Sequence, residues 1–232
     1  MVRVIKHGQM GRSDHGWLRS SHHFSFADYY DPHRMGYGVL RVVNDDLVMP
    51  HTGFDSHPHA DMEIVSYVVN GALTHTDSMG HRHTLTRGQV QYMSAGTGVY
   101  HSEYNHGESP LRFLQIWIIP DQKGYPPQYG DCAYPWQARE GKWLPIASGR
   151  EGGAPVRLHQ DIEVAVVSLA DGETIEWPAG QNRQQYLVLI EGRGTLNQQA
   201  MDAQDAAQVQ GETIRLTAEG DAHCLLFDMA AH

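Results

Sequence analysis

Apolar residues recur along this chain with a period near two, in short runs closed by turn residues, and the alternation begins at once in Val2-Arg3-Val4-Ile5. Alternation on that period is the signature of strands with one face buried. The pattern predicts strands at 2–5, 39–43, 64–69, 72–75, 83–85, 90–93 and 111–119. A second series follows at 156–158, 162–169, 174–177, 185–190, 194–197, 212–217 and 224–228. Asn44-Asp45-Asp46, Asn70-Gly71, Asp77-Ser78-Met79-Gly80, Gly88 and Asp171-Gly172 read as turns between them. Asn-Gly in particular suits the positive φ angles of a tight hairpin. The first half shows no amphipathic helical period. Short strands at regular spacing predict an all-β chain of sandwiches or barrels.

Two stretches depart from the rhythm. Residues 7–38 carry Gly, His and aromatics without a sustained period and read as an ordered loop whose rings need burial. Residues 121–155 hold Tyr125-Pro126-Pro127, Tyr134-Pro135-Trp136 and Ser148-Gly149-Arg150-Glu151-Gly152-Gly153, which is loop material. The crossing between two domains is placed there, giving domains of residues 1–130 and 131–232. The second strand series looks like a worn copy of the first. Tyr186–Gly192 echoes Glu63–Gly71, and Leu225-Leu226-Phe227-Asp228 echoes Leu114-Gln115-Ile116-Trp117-Ile118.

Composition narrows the function. A formal net charge of −10, from 27 acidic and 17 basic residues, argues against a general nucleic-acid or anionic-membrane binder. Two cysteines make no disulfide framework, and no apolar run is long enough to span a bilayer. The expectation is a soluble cytoplasmic protein and a monomer. Sixteen histidines is the unusual count, and they concentrate in the first half.

The candidate chemistry sits between Gly53 and Asn105. His57-Pro58-His59 and His101-Ser102-Glu103 each have the form ligand-x-ligand. On a strand, residues i and i+2 project from one face, so each pair aims two donors at one point. Three imidazoles and a carboxylate suit a divalent transition metal better than calcium or magnesium, which prefer oxygen donors. Glu63 lies four residues past His59 and reads as a ligand, an acceptor for a ligand's N–H, or a strand cap; Asp61 and Asn105 share that ambiguity. His22, His23, His81 and His83 read as ordinary histidines. In the second series the places of His57 and His59 fall near Pro178 and Gly180. Only His223 lies near the place of His101, and Leu225 stands where Glu103 would. One metal is therefore expected per chain, in the N-terminal half.

Longer motifs add a resemblance. His15-Gly16-Trp17, Phe24-Ser25-Phe26-Ala27-Asp28-Tyr29-Tyr30-Asp31-Pro32, His57–Glu63, Met93–Asn105 and Gln115-Ile116-Trp117 resemble the pirin family of the cupin superfamily, close to its bacterial members. The likeness is dense over residues 10–120 and thins afterwards. It implies a bicupin, two antiparallel jelly-roll-like β-sandwich domains packed face to face, with metal only in the first. It implies that His57, His59, His101 and Glu103 are the ligands and Fe(II) the usual metal, with nickel, copper, cobalt, manganese or zinc as alternatives. Where the general cupin pattern would use Glu63, the pirin variant uses Glu103, which leaves Glu63 in support. The resemblance further implies a quercetin 2,3-dioxygenase, which opens the central ring of a flavonol with O2 and releases carbon monoxide. Glu103 would be the catalytic base, and Phe54, Tyr92, Phe113 and the aromatics of residues 17–30 would line the cleft. The alternative it implies is a non-catalytic, iron-dependent redox sensor that binds a protein partner.

Overall fold

The structure is a computed structural model describing residues 1–150 and 153–231, so Glu151 and Gly152 of the predicted loop lie outside the described residues. The described residues form strands and two short 3-10 turns, and no helix is long and apolar enough to cross a membrane. The chain divides into two compact units. One comprises Gly11–Tyr134 with Leu158–Gln160, and the other Met1–Met10, Pro135–Arg157 and Asp161–His232.

In the first unit a seven-stranded antiparallel sheet runs in the order Gln128–Cys132, Val90–Ser94, Glu63–Asn70, Leu111–Ile118, Leu40–Val48, Leu18–His22, Gly11–Asp14. A four-stranded sheet runs Thr52–His59, Val99–Asn105, Ala72–Asp77, Arg82–Thr86. The other unit repeats the plan. Its larger sheet runs Val2–Ile5, Ala206–Gln210, Arg183–Glu191, Ala222–Ala230, Ile162–Leu169, Leu144–Ser148, Val156–Arg157, and its smaller one Thr174–Trp177, Ile214–Ala218, Arg193–Leu196, Gln199–Asp202. The echo between the two strand series is thus an echo of topology. Each unit has its own core, built on Val68, Leu73, Leu85, Leu111 and Phe113 in the first and on Val167, Leu187, Leu216 and Leu226 in the second. Full burial of each such side chain is worth roughly 1.5–3 kcal/mol.

Several expectations need correction. Asn44-Asp45-Asp46 is not a turn, because Leu40–Val48 runs straight through it. The polar side chains are accommodated in the sheet: Arg112 makes two hydrogen bonds to Asp45 at 2.9 and 2.7 Å, and Asn44 meets His22 at 2.9 Å. The stretch 7–38 contains strands Gly11–Asp14 and Leu18–His22, whose polar alternation hid them. The region 121–155 contains Gln128–Cys132 and Leu144–Ser148, and the second series contains the unexpected strands Gln199–Asp202 and Ala206–Gln210. The opening ten residues, assigned by sequence to the N-terminal domain, belong to the other unit, because Val2–Ile5 pairs with Ala206–Gln210. His223 lies on Ala222–Ala230, which holds the place of Leu111–Ile118, not that of the strand bearing His101.

Candidate metal centre

The small sheet of the first unit brings the predicted donors together. Val99–Asn105 lies between Thr52–His59 on one side and Ala72–Asp77 on the other. Its first pairing sets His101 opposite His57, and its second sets Glu103 opposite His75. Side chains directly opposite each other in antiparallel strands share a face. The pairing with Thr52–His59 slips between His101 and Glu103: two steps on one strand match three on the other, from His57 to Phe54. That bulge bends the strand and re-aims its side chains. Gly53 makes the approach possible, since a Cβ there would stand 2.3 Å from the Glu103 carbonyl oxygen.

His57, His59 and His101 form a triangle of rings with centroids 4.8, 4.5 and 4.9 Å apart. The Nε2 atoms of His57 and His101 face each other at 3.1 Å. His57 donates its Nδ1–H to the Asp55 carbonyl at 2.7 Å, which turns Nε2 toward His101. Burial, then the His101 and His57 rings, lower the pKa of His59 to about 4. Burial, then His57 and His75, lower that of His101 to about 3. Both are neutral near pH 7, the state in which imidazole binds metals. Three imidazoles converging in this way fit a transition-metal ion.

Glu103 is 1% exposed. Its carboxylate accepts from Ser66 Oγ at 2.8 Å, from Gln91 Nε2 at 2.7 Å, and from Gln115 Nε2. Those three residues sit in register on adjacent strands of the large sheet. The two sheets therefore meet on one carboxylate, supplied by one and cradled by the other. Its oxygen converges with His101 and His75, while His57 and His59 converge with His101, so His101 is common to two donor groups. Both groups found among the described residues lie in this unit.

His57, His59 and Glu103 line a pocket with a cavity volume of about 90 Å³. Leu18, Phe26, Phe54 and Trp117 supply its apolar wall, and Ser20, His22, Asn44 and Asp46 its polar one. Trp117 meets the edge of His59 at 4.9 Å, and Trp17 packs on Phe54 at 5.1 Å. Tyr92 and Phe113 are not in the wall. Phe113 is core, and Tyr92 donates to Glu63 at 2.7 Å. Burial, then the neighbouring Asp45 and Glu103, push the Asp46 carboxyl up to about 7.

Glu63 supports no ligand. Its Oε1 accepts from Tyr92, from the His159 backbone N–H at 2.8 Å and from His159 Nδ1 at 3.0 Å. Burial raises its pKa against the pull of those donors. Asp61 and Asn105 hold loops: Asp61 accepts the Gly124 N–H, and Asn105 donates to the Val48 and Ser109 carbonyls. Sequence reasoning missed His75, Ser66, Gln91, Gln115 and Asp46. The one hint of the cradle is that each of Ser66, Gln91 and Gln115 stands between two apolar or aromatic neighbours in its strand. His75-Thr76-Asp77 is itself a third ligand-x-ligand pair.

Fold and donor set together define a bicupin whose first domain can hold a metal ion. The pirin profile matches residues 3–118, and that of the quercetinase C-terminal cupin domain matches residues 145–229. The chain is 44% identical over 226 residues to the pirin-like protein of Caulobacter vibrioides, covering 96% of this chain and 97% of that one. It is 38% identical over 231 residues to the quercetin 2,3-dioxygenase of Escherichia coli (strain K12), covering 99% of each. The crystal structure of the bacterial pirin YhhW from Escherichia coli in complex with nickel(II) superposes with a TM-score of 0.93 at 36% identity, over 100% of both chains. This chain belongs to the pirin family.

Proposed function

We propose that this pirin is a metal-dependent dioxygenase that opens the central ring of a flavonol such as quercetin with dioxygen and releases carbon monoxide. The reading takes His57, His59, His101 and Glu103 as ligands of one Fe(II) ion. The observation that carries it is the convergence of His57, His59 and His101, with Glu103 adjoining His101, beside an aromatic-walled pocket that His57, His59 and Glu103 line. The name of the Escherichia coli relative gives the substrate class. A bound divalent transition metal supplies Lewis acidity toward the substrate's hydroxyl.

The residues do the rest. Phe26, Phe54 and Trp117 receive a flat aromatic substrate and keep water from its ring. Glu103 accepts the hydroxyl proton as general base. Ser66, Gln91 and Gln115 hold its carboxylate in place for that transfer. Asp46, a second carboxyl on the pocket with a pKa of about 7, can hold a proton beside it.

The test is anaerobic reconstitution with iron(II), followed by quercetin and air, with loss of flavonol absorbance and trapped carbon monoxide as readouts. Turnover is expected in the wild type and absent in His101→Ala and Glu103→Ala. Tight metal binding without turnover under iron, nickel, copper, cobalt or manganese would replace this reading with the redox-sensor one.

A further inference from the structure

We propose that the small sheet carries a second, wholly buried metal seat made by His75, His101 and Glu103. It rests on the reading of this cluster as a metal centre, and it adds a donor, His75, to the four proposed above.

Register places it. His75 stands directly opposite Glu103, and Asp77 opposite His101, on the strand that flanks Val99–Asn105 away from His57. One ligand atom from each of His75, His101 and Glu103 falls within 4.8 Å of the others. The three residues are 0%, 2% and 1% exposed. Two imidazoles and one carboxylate are a donor set suited to non-heme iron(II).

The hydrogen bonding shows which atom of His75 is on offer. Asp77, whose side chain is fully buried, lies 3.0 Å from His75 Nε2. The same carboxylate accepts the backbone N–H groups of Met79 and His81, at 2.9 and 3.1 Å. An ionised carboxylate only accepts, so Nε2 is the donor and Nδ1 is the nitrogen left for a metal. A carboxylate gripping the far nitrogen of an imidazole is the arrangement that orients a metal-ligating histidine. His75 Nδ1 is buried and has no hydrogen-bond partner, and the same holds for His101 Nδ1. The rings lie 5.4 Å apart, and Tyr129 stacks on His75 at 4.6 Å, closing that side. A buried polar atom left unpaired is costly, and the interior of a sandwich is where such atoms are normally satisfied. Two buried imidazoles, each with an unpaired nitrogen, and a buried carboxylate whose ligand atoms lie within 4.8 Å of theirs make a site for a cation.

The consequence is that loss of His57 and His59 does not strip the protein of metal. The test uses the full chain carrying His57→Ala and His59→Ala together, titrated with cobalt(II) under argon. Visible absorption and the cobalt retained after gel filtration are the readouts, with circular dichroism to confirm the fold. The double variant is expected to retain cobalt. Adding His75→Ala should abolish that binding, and adding Asp77→Asn instead should weaken it about 10- to 100-fold. Should the His75→Ala protein not fold, the Asp77→Asn arm decides alone. A folded double variant that takes up no cobalt while the wild type does overturns the second seat and leaves the dioxygenase reading standing. Undiminished binding after either added substitution also overturns it. A wild type that binds no cobalt removes the metal centre altogether.

Discussion

At the scale of residues, the centre depends as much on what holds the donors as on the donors. Glu103 is a buried carboxylate with three side-chain donors, and each hydrogen bond to a charged group is worth about 1.5–3 kcal/mol. Gln115→Leu keeps the volume of the side chain and removes one of them. It should lower the stability of the metal-free protein by about that amount, read as a shift in the urea midpoint at constant slope. An unchanged midpoint would mean that Glu103 does not depend on the cradle. The ligand pairs His57-x-His59 and His101-x-Glu103 were legible because a two-residue spacing on a strand has one geometric meaning. The cradle was not, since which strands of the large sheet face Glu103 is decided by sheet order and not by spacing. His75 was passed over for a local reason: the predicted strand stopped at it, so Asp77 was read as a turn residue and the pair was split.

At the scale of elements, the key contact is between Thr52–His59 and Val99–Asn105. These two strands can pair through their bulge only because Gly53 has no side chain against the Glu103 carbonyl. Overpacking of this kind costs typically 1–3 kcal/mol. Gly53→Ala should therefore lower the melting temperature and, because it pushes the His57 strand from the His101 strand, weaken metal binding as well. Calorimetry and a cobalt titration on one preparation check both. A loss of stability with metal affinity intact would show that the bulge does not position the histidines. The strands marked by apolar runs, Glu63–Asn70 and Leu111–Ile118, and the alternating Thr174–Trp177 were legible within a residue or two. Gly11–Asp14 and Leu18–His22 were not, because they lie at the edge of the large sheet, where polar side chains replace the apolar alternation that marks a strand.

At the scale of the whole molecule, metal binding and folding are one equilibrium. An ion that binds only the native state at 100 times its Kd adds about 2.7 kcal/mol. For a chain of this size each kcal/mol moves the melting temperature by about 2–4 °C. Protein treated with a chelator should melt lower than reconstituted protein by that margin, measured by scanning calorimetry, and equal midpoints would argue against a native-state site. The fold class and the repeat of one plan in two units were legible from turn spacing and the echo of strand sequences. The assignment of the chain's first ten residues was not, since an edge strand's partner can lie anywhere in the sequence.

The tie between Glu63 and His159 makes the two cupins poor cassettes. Residues 158–160 complete the unit that begins at Gly11, while Val2–Ile5 complete the sheet of the other. A gene cut after codon 134 would leave the buried Glu63 with Tyr92 as its remaining donor among these partners. The downstream fragment would in turn bare the edge of Ala206–Gln210 to whatever strand it met next. A lineage shuffling such halves, or a laboratory building chimeras from them, would have to exchange both splices at once.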